Sequence, residues 1–336
     1  MRIEPETTVT RRGFLRGAMS VGAGAGAIGI SQSLFPTWMP RLAFNPKGPS
    51  GQEAANRDVM VVIFLRGGID GLSAVVPFGE GAAFYDKRPS QRVMEPGGSN
   101  ESSLDLDGFF GMHQSMAPLK EIYDDQQLAV VHATGLTDPT RSHFDAMLFM
   151  EYGTPGSKTT SMGWIARHLE TASWQNDSPF RAIGFGTTLP SSLQGSPAPL
   201  SLQSIADFHL RGREDELLRM QQALQTLYGV QAPSDDLERQ ASLVFSTISL
   251  LEDLNVSGYA PAAGADYPGD EEGFALGLQQ VAQLIKADVG LEVATLDLGG
   301  WDTHENQGTH DGTFSYLLDT LSRSLHAFYA DLDDRM

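Results

Sequence analysis

Apolar positions in this chain fall into two kinds of pattern. Val59 to Leu65 is an unbroken hydrophobic run rich in β-branched side chains, as expected of a strand covered on both faces in a parallel sheet. Leu128 to Ala133, Arg181 to Phe185 and Leu291 to Leu298 predict three further strands. The first and last run into Gly-Gly turns, at Gly67-Gly68 and Gly299-Gly300. The second kind of pattern has helical period. Leu237, Ala241, Val244, Ile248 and Leu251 share one face of a helix over 235–254, and Phe274, Leu278, Val281 and Ile285 mark another. Phe314, Leu317, Leu318, Leu321, Leu325 and Phe328 mark a third, and a fourth is expected from Ser142 to Tyr152. Stretches 96–103 and 186–199, rich in Gly, Pro and Ser, read as loops. Strands alternating with helices predict an α/β fold with a mostly parallel sheet sandwiched by helices, whose ligands gather at the carboxyl ends of the strands.

Composition narrows the chemistry. The 336 residues carry 42 Asp plus Glu against 23 Lys plus Arg, a formal charge of −19, which disfavours nucleic acid and anionic membranes as partners. With no cysteine, disulfides, thiolate metal sites and thiol nucleophiles are excluded, and any metal must use oxygen and imidazole ligands. Arg11-Arg12-Gly13-Phe14-Leu15, ahead of a weakly apolar Gly- and Ala-rich stretch from Gly17 to Phe35, resembles a twin-arginine export signal. The expected organisation is a signal peptide with a short linker over 1–45 and one α/β domain over 46–336. The mature form is expected to have no stable membrane span, to lie in the periplasm or otherwise outside the cytoplasm, and to meet the twin-arginine translocase during export.

Three places after predicted strands carry candidate chemistry. Asp70 lies in the turn Arg66-Gly67-Gly68-Ile69-Asp70-Gly71, where it reads either as a metal carboxylate or as a helix cap or Asx turn. Trp301-Asp302-Thr303-His304 sets a carboxylate two residues before an imidazole, a pair able to share a metal ion or to serve two neighbouring ions; His310 and Asp311 follow shortly. Arg141-Ser142-His143 opens the predicted helix after the second strand. Ser142 there is either an N-cap or a nucleophile favoured by free N–H groups, with Arg141 as a fork for an anion and His143 as a metal ligand or proton donor. His113, His132, His168, His209 and His326 read as core or surface fillers, with His132 in the core.

Arg66-Gly-Gly-Ile-Asp-Gly-Leu-Ser-Ala-Val-Val-Pro77, Tyr85-Asp86-Lys87-Arg88-Pro89, Arg141-Ser142-His143-Phe144-Asp145 and Gly299-Gly300-Trp301-Asp302-Thr303-His304-Glu305-Asn306-Gln307, behind the twin-arginine leader, together resemble the bacterial domain of unknown function 1501 family. That family groups with the alkaline phosphatase and sulfatase superfamily. The resemblance implies an alkaline-phosphatase-like fold, a divalent metal (zinc, manganese or calcium), metal ligands at Asp70, Asp302 and His304, and catalytic residues Ser142, Arg141 and His143. It also implies an exported hydrolase of small-molecule or glycan phosphate or sulfate esters. The alternative is a non-catalytic envelope or glycan-binding protein on the same fold. Family members continue into a further strand and an Asp-His-Gly segment that this sequence does not show before Met336, so one or two strand-helix units are expected to be missing and the metal set to be incomplete.

Overall fold

The computed structural model describes residues 58–172, 176, 178–196, 199–208, 214–227, 236–253, 258–270 and 273–335. The proposed leader and His209 lie outside them. Strand β1 (Met60–Leu65) leads through a tight turn into the short helix α1 (Gly71–Ala74) and strand β2 (Val75–Val76). Helix α2 (Ala82–Tyr85), strands β3 (Leu104–Asp105) and β4 (Gly111–Met112), and helix α3 (Ala117–Asp124) follow. Next come helices α4 (His143–Tyr152) and α5 (Trp164–Thr171), strands β5 (Ala182–Phe185) and β6 (Leu200–Leu202), and helices α6 (Glu214–Leu227) and α7 (Asp236–Asp253). Helix α8 (Phe274–Lys286), strand β7 (Val293–Leu298) and helix α9 (Thr313–Asp331) end the sequence of elements.

Four strands form one sheet in the order β1-β7-β5-β6, and every pairing in it is parallel. Met60 is in register with Val293 and Leu65 with Leu298, so β1 and β7 end together. The strand period of two sorts the side chains of β7 between two layers. Ala294, Leu296 and Leu298 join Leu278, Val281, Leu317, Leu318 and Leu321 in the main core under α8 and α9. Val293 packs on the other side with Ile165, Leu169 and Leu193. The arrangement is therefore an α/β layer structure with helices on both faces. Fully burying a side chain such as Leu318, at 0% exposure, contributes about 1.5–3 kcal/mol, and Leu278, Leu284, Leu298 and Phe314 are further buried positions that hold α8 and α9 against the sheet. Strands β2, β4 and β3 make a separate small antiparallel sheet. Among the described residues no helix is long and apolar enough to cross a membrane.

Two expectations fail. Residues 128–133 are not a strand: they run without regular structure or a ladder partner. Val131 is 73% exposed, and positive φ values at Gln126 and Ala133 turn the chain at either side. His132 is consequently an exposed ring stacked on Phe110 at 3.9 Å, not a core residue. The fourth strand of the sheet is instead β6, at the end of the predicted loop. Strand β1, whose residues are all partly exposed, pairs with β7 alone among the described strands.

Candidate functional site

The matched ends of β1 and β7 bring two glycine turns face to face. Arg66 N–H donates to the Leu298 carbonyl at 2.9 Å, continuing the ladder one step beyond the strands. Gly67, at φ +123°, passes so close to the second turn that a Cβ there would stand 2.6 Å from the Asp302 nitrogen. Only glycine permits that approach. Trp301, 2% exposed, anchors the second turn by donating Nε1–H to the Leu298 carbonyl and by meeting Phe314 edge-on.

Helix α4 is tied to the same rim. The Arg66 guanidinium donates to Asp297 on β7 at 2.5 Å and to Glu151 on α4 at 3.1 Å. Burial works against its charge, but these two carboxylates outweigh it and hold Arg66 above its ordinary value. Glu151 Oε1 also accepts the Ser191 N–H, so a nearly buried carboxylate is satisfied and α4 is held at its C-terminal end.

The opposite end of α4 reaches the loop after β7. His143 Nε2 lies 3.3 Å from Asp302 Oδ2, and His304 Nε2 lies 3.0 Å from the same oxygen. One carboxylate thus faces two imidazoles. His304 and Asn306 both have positive φ, at 48° and 54°, a conformation that costs non-glycine residues energy and persists only where neighbours impose it. The neighbours here are Gln307, whose side chain accepts from Thr303 and donates to Asp70 Oδ2 at 3.2 Å, and the Phe314 N–H, which donates to the Gln307 carbonyl.

Asp70 stands on the other side of that link. Its Oδ2 accepts from Ser73 Oγ at 2.7 Å, from Arg88 and from Gln307. Burial would raise its pKa, yet the hydrogen bonds from Ser73 and Gln307 and the charge and hydrogen bond of Arg88 together keep the carboxyl below the usual range. It sits at the N-cap position of α1 without capping that helix. Ser142 does cap: its Oγ accepts from the Asp145 N–H at 3.3 Å. Ser142 and the neighbouring Arg141 are both exposed, as is Phe144, at 72%, against the His143 ring.

The structure therefore brings His143, Asp302 and His304 together, places Ser142 and Arg141 beside them in sequence at the helix start, and joins Asp70 to the same loop only through Gln307. Among the described residues no group of three or more His, Asp or Glu side chains is set for a metal ion, and here both imidazoles face one oxygen. Carboxylate and imidazole are nevertheless donor types that zinc takes. Tetrahedral donors at about 2.0–2.1 Å from zinc lie about 3.3 Å from one another; the two separations seen here, each from an imidazole to Asp302 Oδ2, are 3.3 and 3.0 Å, and the His304 side chain is 78% exposed. Arg88 and Ser73, the partners of Asp70, are contributors that sequence reading passed over. Arg88 lies in the Tyr85-to-Pro89 motif, but nothing in its spacing discloses Asp70 as its partner. Comparison of the chain with family models, with curated proteins and with solved structures returns no match.

Proposed function

We propose that this protein is an exported, metal-dependent hydrolase of phosphate or sulfate esters, of the alkaline phosphatase and sulfatase type and akin to the domain of unknown function 1501 family. The reading rests on one observation, the Asp302 carboxylate flanked by the imidazoles of His143 and His304 at the strand-end rim. Those three side chains would hold the divalent ion. Bound there, the ion would acidify a coordinated hydroxyl or water and neutralise charge building on the ester oxygens. The chain's own groups supply the rest. Free N–H groups at the start of α4 favour an anionic ester beside Ser142, and Arg141 offers paired donors to non-bridging oxygens. Ser142 is the candidate nucleophile: once its Oγ leaves the cap on Asp145, its attack on phosphorus or sulfur forms a seryl ester as the bond to the substrate's ester oxygen breaks, the serine proton leaving with the departing alcohol, and water then cleaves the seryl ester to release phosphate or sulfate and restore Ser142.

A second reading follows from Asp70. The Arg88 ion pair already neutralises it, as suits a non-catalytic envelope or glycan-binding protein that keeps the fold without the ion. Elemental analysis of full-length exported protein, with p-nitrophenyl phosphate and sulfate hydrolysis before and after chelation, separates the two. Stoichiometric zinc, manganese or calcium, with activity lost on chelation and in Asp302→Ala, supports the hydrolase. Metal-free, folded, inactive protein overturns it.

A further inference from the structure

The loop that carries Asp302 and His304 is held from below by a histidine that the proposed chemistry does not use. His113 is 0% exposed and sits at the head of the short turn 114–116 that follows β4. Its main-chain N–H donates to the Ala74 carbonyl. Its Nδ1 accepts the Ser115 N–H at 3.1 Å, and its Nε2 lies 2.5 Å from the Thr309 carbonyl. Those partners allow one neutral tautomer. Nδ1 must be bare to accept, so Nε2 carries the proton and donates it to Thr309. The ring also lies parallel to His310 and edge-on to Phe314, both at 5.8 Å. A second tie runs alongside, from Ser115 Oγ to Ser315 Oγ at 2.7 Å and from Ser315 Oγ to the His310 carbonyl at 3.0 Å.

We propose that His113 is a positioning residue for the candidate site: its neutral imidazole, wedged between the 114–116 turn and Thr309, fixes residues 302–312 in the shape that presents Asp302 and His304. This deepens the reading of that loop as the working site, but it is tested without metal or substrate. Protonation of Nδ1 would turn an acceptor into a donor facing the Ser115 N–H and place a charge where no water reaches. Burial accordingly holds His113 below the ordinary imidazole value, with His310 pushing the same way and the Thr309 carbonyl pulling against it. His310 is the titratable group that faces it; Ala74, Ser115, Thr309 and Phe314 carry no charge. The sign follows from linkage. A base whose folded pKa lies below its unfolded value of about 6.5 gives stabilisation that is complete above that pH and is lost as pH falls through the folded value. The loop should therefore loosen in mild acid.

The test is hydrogen exchange on the full chain without metal, read as protection of amides 302–312 relative to β7. Wild-type protection of the loop is expected to fall about tenfold between about pH 7.5 and pH 5 while β7 holds. In His113→Gln and His113→Asn, which cannot titrate, loop protection is expected to be low at the higher pH already and flat with pH, although His143, His304 and His310 remain. A variant that keeps the wild-type pH-dependent loss, or wild-type protection at about pH 7.5, overturns the proposal. Should the variants not fold, imidazole nitrogen shifts of the wild type decide: an Nε2–H tautomer whose protonation accompanies loop opening supports it, and an Nδ1–H tautomer or a His113 left neutral in an opened loop overturns it. Zinc titration run in parallel separates the two readings. Zinc-free protein with this loop behaviour removes the hydrolase and keeps His113, whereas zinc binding with an unaltered loop in His113→Gln does the reverse.

Discussion

His143, the first residue of α4, stands 3.3 Å through Nε2 from Oδ2 of Asp302, in the loop after β7. The contact joins elements distant in the chain at the rim where β1 and β7 end. Because the side chains of His143, Asp302 and His304 are 30%, 38% and 78% exposed, their mutual attraction adds little to folding, within about 0.5–1 kcal/mol. Asp302→Ala and His143→Ala should consequently leave urea unfolding nearly unchanged. Both should weaken zinc binding by at least about 10-fold, since even residues that only support a ligand cost that much. Calorimetric zinc titration with urea melts on the same samples checks both halves.

Asp70 should behave in the opposite way. Its Oδ2 is engaged by Ser73, Arg88 and Gln307, so Asp70→Asn leaves the guanidinium of Arg88 without its counter-charge in a mostly buried place. The expected loss is about 1–3 kcal/mol, with metal content unchanged if the ion belongs to Asp302 and the histidines. The pH dependence has a definite sign. A carboxyl whose pKa is lowered by folding contributes stability above its unfolded value of about 3.9 and loses it as pH falls through the folded one. Wild type minus Asp70→Asn, measured by urea unfolding, should shrink below about pH 4. A variant that instead loses its metal would make Asp70 a ligand.

The parts of this fold that were legible in sequence are those in which burial enforces a pattern. The apolar run of β7 is almost wholly buried, and α8 and α9 show their core faces at helical spacing. The stretch 128–133 looks the same in sequence because hydrophobicity reports what could be buried. It does not report whether a ladder partner exists, and here none does among the described strands. Strands β2, β3 and β4, of two residues each, are too short for an alternating pattern to emerge. At the site, the rule that ligands collect at strand ends pointed to Asp70, Asp302 and His304, which follow β1 and β7; His143 was reached through a strand over 128–133 that does not form, and its approach to Asp302 comes from the placement of α4. The rule gave no hint that Arg88 would neutralise Asp70 or that His113 would brace the loop, since both depend on partners brought close only by the fold.

Gly67 offers a test of how the two turns fit. A methyl group there would lie 2.6 Å from the Asp302 nitrogen and 3.0 Å from the Trp301 carbonyl carbon, on a backbone at φ +123°. Main chain cannot rotate aside as a side chain can, so Gly67→Ala should cost about 1–3 kcal/mol and displace Asp302. Its neighbour supplies the control, because a Cβ on Gly68 meets nothing within 4 Å and Gly68→Ala should be near neutral. Thermal melts of both variants, with Trp301 fluorescence as the local reporter, distinguish a steric clash at Gly67 from a general intolerance of the turn.

The deepest charge in the described structure lies far from this rim in sequence, at the end of α9. Asp331 is 0% exposed, yet both oxygens are satisfied: Oδ1 accepts from Lys286 Nζ at 2.6 Å and the Ala262 N–H at 2.7 Å. Oδ2 accepts from the Tyr259 and Tyr267 hydroxyls at 2.7 and 3.0 Å. One carboxylate thus fastens the segment around 259–267 to α8 and α9. Burial opposes its charge, and the Lys286, Ala262, Tyr259 and Tyr267 hydrogen bonds overcome that and hold its pKa below the carboxylate range, while burial first and then the charge of Asp331 push Tyr267 far above the phenol range. Asp331→Ala strands Lys286 and two hydroxyls and should cost about 3–5 kcal/mol, larger than any change at the rim. The wild-type advantage should be complete above the unfolded value near pH 4 and decline as pH falls through the lower folded value. Urea unfolding of both proteins across acid pH measures it; a difference that stays constant to the lowest pH at which the wild type folds would mean that Asp331 acts by shape and not by charge.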